Sequence, residues 1–463
     1  MKTLSRSACL LGSCAAALAA VASPAGAAWT APQELPNSAG RYPLFAAYGT
    51  GGDTSVGMYG PLSLLPRNPQ APLAIGGLRS TTPAPAPAEL PDGLGTPVAL
   101  APNGTMLAVG GPRSPLDFFS VEGSRSRLRV GIGPVDGVLK RIRTHSIVGT
   151  NTLASAVNGA GDAAVVFSRC VNKSCSTHTV LATFRRRGRG FAEPIVLARR
   201  TGYPAAAVAL NTRGDAIVAW IQHRARGRGN DIRVRTRRAN GTLTKLRLAG
   251  PTAPAPTIAV TLTDGRHGTV AWFSQAVGEG SVGGPLEVSQ ADMDSRGTLS
   301  ARNVLDRGTP TGHGESDAVK GARLRSILGA DGAATYVWTG FADGRYVVRA
   351  NRLHRDSGLT ETLSPPGVDA QLMDLAGDVA GDVLAVWATV PGNPTPLPAV
   401  AAVIRPGGAR TFGAPQLVLS GADASGSAAG AIAPGGRALV AGGPEVVLNR
   451  STPPGVRVTQ LLG

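Results

Sequence analysis

The sequence predicts an all-β chain, a β-propeller of seven or eight four-stranded blades, and three observations carry that prediction. A turn followed by a short apolar strand recurs as "NGAGDAAVVF" (158–167), "NTRGDAIVAW" (211–220), "TDGRHGTVAW" (263–272), "GADGAATYVW" (329–338) and "DVAGDVLAVW" (378–387), and every copy ends in an aromatic residue. Weaker copies stand at 42–58, 101–110 and 433–442. Taken at Gly52, Gly104, Gly161, Gly214, Gly268, Gly332, Gly381 and Gly436, the anchors step by 52, 57, 53, 54, 64, 49 and 55 residues. Finally, both alternating sets of the recurring strand are apolar, as Ala216/Val218/Trp220 and Ile217/Ala219 show. A strand of that kind is covered on both faces.

Each period reads as four strands. In 203–250 an apolar strand (PAAAVAL) leads through a Gly-Asp turn to a second (AIVAW). An Arg-rich loop, a third strand (DIRVRT), an Asn-Gly turn and a fourth strand (LTKLRLA) follow. Hairpin signals at a period near fifty give a blade, and stacked blades bury what one alone would expose. Four of the five tryptophans (Trp220, Trp272, Trp338, Trp387) fall in one slot, which assigns them to packing between blades.

Along the chain, residues 1–27 have the form of a signal peptide: Lys2 and Arg6, an apolar stretch from Ala15 to Ala22, then Ala25-Gly26-Ala27. Export is the expectation, with 28–463 as one propeller domain; lipid anchoring through Cys14 is the second reading. The region 61–93, with eight prolines, reads as an extended surface excursion. No stretch after the leader has the ~20 apolar residues of a spanning helix. In an exported chain Cys170 and Cys175 read as a local disulfide, with no metal or cofactor. The N-terminal "WTAPQELPNSAGRYP" resembles the fourth strand and exit of "GFAEPIVLARRTGYP" (190–204), so it is a candidate to close the ring onto strands around 444–450. The C-terminal "VRVTQLLG" competes for that place.

These repeats resemble those of secreted propellers of high-GC bacteria, over nearly the whole mature chain. The doublets Gly76-Gly77, Gly110-Gly111 and Gly442-Gly443 look kelch-like, without the aromatic pair of kelch blades. The Asp box of sialidase-type propellers is missing, its nearest approach being "DMDSRGTLS" (292–300). The resemblance implies a fold and no activity.

Arg213-Gly214-Asp215 looks like an adhesion tripeptide, yet its sister copies keep Gly-Asp without the arginine, so it reads as a turn. Between 185 and 247 fifteen Arg and one Lys stand against Glu193, Asp215 and Asp231, a balance of 16 − 3 = +13. Arg224, Arg226 and Arg228 in a loop, with Arg233, Arg235 and Arg237 alternating along a strand, form a candidate site for an anionic polymer or a cell-surface protein. An arginine-rich but merely solvated surface is the competing reading, since the whole chain holds only five Lys. Specific nucleic-acid binding is disfavoured, because few aromatics are interleaved for base stacking. His313, Glu315 and Asp317 form a second candidate cluster. The loops between second and third strands, and those joining blades, are the expected binding face. No hydrolase, zinc, phosphate or dinucleotide motif occurs. The expectation is therefore a secreted, monomeric, non-catalytic binding propeller, with a propeller-type polysaccharide hydrolase or lyase as the alternative.

Overall fold

The computed structural model describes residues 28–35, 38, 42–48, 53–59, 74–78, 88–89, 98–110, 128–135, 139–142, 144, 150–171, 176–202, 204–223, 229–252, 257–275, 286–308, 323–353, 360–389, 399–420, 427–443 and 456–461. They form eight four-stranded antiparallel sheets and, among the described residues, no helix. Blade 1 comprises Tyr42–Tyr48, Thr54–Tyr59, Ala74–Leu78 and Ala88–Glu89; blade 2 comprises Val98–Leu100, Thr105–Gly110, Arg129–Pro134 and Lys140–Ile142. Blade 3 is Thr150–Val157, Ala163–Cys170, His178–Arg185 and Ile195–Thr201; blade 4 is Ala206–Leu210, Ala216–His223, Asn230–Arg237 and Arg247–Thr252. Blade 5 contains Ile258–Leu262, Gly268–Gln275, Leu286–Met293 and Asn303–Gly308, and blade 6 contains Leu324–Leu328, Ala334–Ala342, Arg345–Leu353 and Thr360–Thr362. Blade 7 is built from Ala370–Gly377, Val383–Thr389, Ala399–Arg405 and Gln416–Ser420. Blade 8 takes Ser427–Ala433, Arg437–Gly443 and Arg457–Leu461 from the C-terminal end and Gln33–Glu34 from the N-terminal end.

The ring closes because both chain ends enter blade 8. Arg457–Leu461 is its third strand and Gln33–Glu34 its fourth, in register Gln33 to Val458 and Glu34 to Arg457. The two segments expected to compete are thus consecutive strands of one sheet, while 444–450 lie outside the described residues.

One apolar cluster fills each of the eight seams. Phe45 and Ala47 meet Met106 and Ala108 between blades 1 and 2, and Leu439 and Val458 meet Val56 and Met58 between blades 8 and 1. The recurring aromatic is the wedge: Phe167 lies in the seam between blades 2 and 3, Trp220 between 3 and 4, Trp272 between 4 and 5, Trp338 between 5 and 6, and Trp387 between 6 and 7. All five are at most 1% exposed. Each sits opposite a first-strand residue near that strand's start, as in Trp220 to Ala206 and Trp338 to Leu324. Burying one such ring stabilises the fold by about 3 kcal/mol. The alternating sets divide as their chemistry requires: Ala216, Val218 and Trp220 face blade 3, and Ile217, Ala219 and Ile221 face blade 5.

Two expectations are corrected. Within 61–93, Ala74–Leu78 and Ala88–Glu89 are the third and fourth strands of blade 1; the prolines flank the segment "AIGGL", whose backbone pairs with Thr54–Met58. The rest of 61–93 lies outside the described residues. The kelch-like doublets are not equivalent either: Gly76-Gly77 belong to a third strand, whereas Gly110 and Gly442-Gly443 end second strands.

Candidate functional site

Of the residues singled out in the sequence, Arg224, Arg226, Arg228, His313, Glu315, Asp317 and Cys175 lie outside the described residues, as do 1–27. Cys170 ends the second strand of blade 3, opposite His178. Arg233, Arg235 and Arg237 stand opposite Trp220, Val218 and Ala216, on the side of blade 4 that packs against blade 3. They are half-buried there, and each has an internal partner. Arg233 Nη2 lies 3.4 Å from Asp231 Oδ2, Arg235 Nε donates to the Thr244 carbonyl at 2.7 Å, and the Arg237 guanidinium sits 4.7 Å from the Phe184 ring centroid. Burial lowers the pKa of Arg237, and repulsion from Arg186 lowers it further.

The turns joining first to second strands and third to fourth strands share one face, and their hydrogen bonds show it. Asn103 Nδ2 donates to the Gly159 carbonyl (2.9 Å), Asn158 Nδ2 to Asn211 O (2.8 Å) and Asn211 Nδ2 to Thr263 O (3.1 Å), linking the turns of blades 2 to 5 in sequence. The Asp after the turn glycine ties the two turns of its own blade together. Asp162 Oδ1 accepts from Arg187 N–H (2.8 Å), Asp215 Oδ1 from Ala239 N–H (2.7 Å) and Asp382 Oδ1 from Gly407 N–H (2.5 Å). Asp215 is 3% exposed, so the adhesion-like tripeptide is a structural corner whose carboxylate is engaged internally.

This turn face is strongly basic over blades 3 to 5. Its six turns (158–162, 186–190, 211–215, 238–242, 263–267 and 294–298) hold Arg186, Arg187, Arg189, Arg213, Arg238, Arg266 and Arg296, seven arginines against four aspartates. All four carboxylates are bound locally: Asp162 and Asp215 as above, Asp264 by Thr212 N–H and Oγ1–H, and Asp294 by Arg296 and Thr298 N–H. Turns 329–333, 378–382 and 406–410 of blades 6 and 7 reverse the balance, with Asp331, Asp378 and Asp382 against Arg410. Five described arginines of the 185–247 concentration, Arg186, Arg187, Arg189, Arg213 and Arg238, therefore stand in turns on the face opposite the one expected to bind. The signal was present in the sequence: Arg186, Arg187 and Arg189 occupy a turn between third and fourth strands, which strand alternation assigns to this face.

One turn departs from its sisters. The left-handed slot is filled by Gly161 (φ 87°), Gly214 (φ 82°), Gly332 (φ 76°) and Gly381 (φ 89°), but in blade 5 by Arg266 (φ 65°). Gly268, chosen as the anchor from sequence, is instead the first residue of its strand and pairs with Leu262. An L-residue held there costs about 1–2 kcal/mol. Arg266 Nε donates to Asp215 Oδ2 of blade 4 at 3.0 Å, and its side chain remains 42% exposed. Beside it, Leu262, Met293, Thr236 and Thr244 line a small, shallow cleft open to solvent between blades 4 and 5.

First strands surround the axis, and their side chains are mostly small or apolar, as in "AAVAL" (206–210) and "SAAGAIA" (427–433). Asp374 is the single carboxylate on the described first strands. Its oxygens accept from Leu375 N–H (2.9 Å) and Gly430 N–H (3.0 Å), joining blades 7 and 8. Arg323, beside the start of the first strand of blade 6, has its pKa lowered by burial and by Arg325, with Asp374 opposing. No carboxylate pair of the kind used in glycoside hydrolysis is present on these described strands, and no described cluster of three His, Cys, Asp or Glu could hold a metal. Among the described residues no helix is long and apolar enough to cross a membrane.

Solved structures similar to this architecture include two polysaccharide lyases. One is a polysaccharide lyase of a new family, PL25 ulvan lyase, 12% identical over 92% of this chain and 95% of that chain, with a TM-score of 0.52. The other is a PL25 ulvan lyase bound to -[GlcA(1-4)Rha3S]-, also 12% identical over the same shares, with a TM-score of 0.51. At that identity the shared property is the fold. No family model and no curated protein matches the chain.

The staple between blades 4 and 5 should respond to pH. Burial pushes the Asp215 carboxyl up, but the Ala239 N–H, Arg266 and Asn211 outweigh it and hold it below the usual carboxylate range. A depressed carboxyl stabilises the fold above its unfolded pKa, and that contribution is lost as pH falls through the folded value. Thermal melts should therefore show the deficit of Asp215→Asn against the natural chain as largest near neutrality and shrinking below about pH 4. A deficit independent of pH would assign the carboxylate no role as a charge.

Proposed function

We propose that the protein is an exported, non-catalytic propeller that binds an acidic glycan across the turn face of blades 3 to 5. The observation that supports this most is the charge separation: five of the six adjacent turns carry seven arginines between them, and the four aspartates of the six are all occupied by local hydrogen bonds. Opposite charge at such a surface raises the local concentration of a polyanion, and the attraction is screened by salt. Export and a Cys170–Cys175 disulfide belong to the same proposal.

The test is binding of the natural chain to immobilised polygalacturonate and dextran sulfate, with uncharged dextran as control. Replacing Arg186, Arg187 and Arg189 by serine should weaken binding about tenfold at low salt, three exposed charges at roughly 0.5 kcal/mol each, and flatten the salt dependence. Equal binding of the two proteins would place the polyanion elsewhere. The polysaccharide hydrolase or lyase reading is favoured by one observation, the likeness in fold to a PL25 ulvan lyase bound to -[GlcA(1-4)Rha3S]-. New chain ends released from polygalacturonate by the purified protein would decide for it.

A further inference from the structure

Resting on that reading, we propose that the cleft between blades 4 and 5 is a subsite for a single anionic group of the glycan, a uronate carboxylate or a sulfate, with Arg266 as its contact. Three observations converge. The shallow cleft opens on the basic face; Leu262 and Met293 line it beside Arg237 and Arg238, and its two carboxylates, Asp215 and Asp294, are already engaged by local hydrogen bonds. Arg266 stands on its edge in a left-handed conformation that four sister turns give to glycine. Only part of its guanidinium is engaged by Asp215, through Nε, and the side chain remains 42% exposed. A planar guanidinium binds a carboxylate or sulfate through paired N–H groups, and an apolar lining strengthens that contact by excluding water.

The cleft exists because of what ends the third strand. Met293 of blade 5 occupies the register position that Arg237 holds in blade 4 and Arg405 in blade 7, opposite Gly268, Ala216 and Val383 respectively. In those seams the guanidinium itself closes the space. Arg405 is 2% exposed with Phe412 against it, and Arg237 lies over Phe184. The shorter Met293 brings no charge to that position, and a shallow opening beside Arg266 remains.

Arg266→Gly tests this, because glycine takes the positive φ without strain and Asp215 keeps the Ala239 and Asn211 bonds. The melting temperature should stay within a few degrees of the natural chain. Affinity for trigalacturonate should fall about tenfold, while binding of dextran sulfate falls less than threefold if the site reads carboxylate, or equally if it also accepts sulfate. Ser295→Trp, which crowds the cleft from its rim, should cause the same loss. Unchanged affinity for both ligands in both variants overturns the subsite alone. Failure of the natural chain to bind any acidic glycan overturns the turn-face reading and the subsite with it.

Discussion

Trp338→Ala should destabilise the protein by about 3–5 kcal/mol, a large share of the folding free energy of an ordinary domain. The indole fills the seam between blades 5 and 6 and is 0% exposed. Its Nε1–H donates to Asp306 Oδ2 at 2.8 Å, and Arg349 engages the other oxygen of that carboxylate. The change therefore removes a ring from a close-packed seam and takes a donor from a buried charge. Phenylalanine variants separate these effects. Trp338→Phe keeps most of the volume but forfeits the bond to a carboxylate, about 1.5–3 kcal/mol. Trp387 occupies the same register in the next seam, yet its Nε1 is buried with no partner among the described residues. Trp387→Phe should consequently cost much less, since it sheds an unsatisfied donor along with the lost volume. Urea denaturation of the two phenylalanine variants should differ by about 2 kcal/mol, and equal values would show that packing alone sets the cost.

That contrast marks where sequence reading stops. The aromatic slot was legible because an inter-blade wedge must recur at the same point of each strand, and the structure places Phe167, Trp220, Trp272, Trp338 and Trp387 in five successive seams. Whether an indole finds an acceptor depends on the fourth strand of the preceding blade, which carries Asp306 before Trp338 but offers the backbone carbonyl of Pro251 to Trp272. No local pattern encodes such a pairing. The left-handed arginine was legible but misread. In the other four copies the turn glycine precedes the aromatic by six residues, as in Gly214 and Trp220, and the same spacing from Trp272 arrives at Arg266. Gly265 and Gly268 on either side disguised it. The basic face was legible as composition, and as place only through strand alternation at the Arg186–Arg189 turn: "DIRVRTRR" displays its arginines to one side, but that side is the half-buried flank of blade 4. The arginines of short turns, each unremarkable in sequence, make the continuous charged surface once the blades stand side by side.

Deleting residues 28–38 should have the largest effect of any change considered, about 5 kcal/mol or more. The segment contributes main-chain hydrogen bonds from Thr30 N–H to Gln460 O (2.8 Å) and Leu35 N–H to Val456 O (2.9 Å), with Ser38 Oγ accepting from Val456 N–H (2.9 Å). Trp29 Nε1–H reaches across to Gln416 of blade 7 at 2.6 Å, and Leu35, 2% exposed, is buried between blades 8 and 1. At about 1 kcal/mol per hydrogen bond and about 2 kcal/mol for the buried leucine, these contacts alone account for the figure. The deletion would also leave the third strand of blade 8 as an open edge, inviting association with other chains. A rearranged chain distinguishes loss of the strand from loss of the covalent path around the ring. Trp29 forms a bridge with Leu461, so the N-terminal segment already runs back along the C-terminal strand as the second arm of a hairpin would. Moving 28–38 behind Gly463 through a short turn, in a chain that begins at 42, should restore most of the lost stability. It should also speed folding, because the closing contacts become local and the entropy of joining distant chain ends no longer opposes them. If the rearranged chain stays as unstable as the deletion, the N-terminal strand acts through its covalent connection to blade 1, and ring closure depends on chain order rather than on the fourth strand itself.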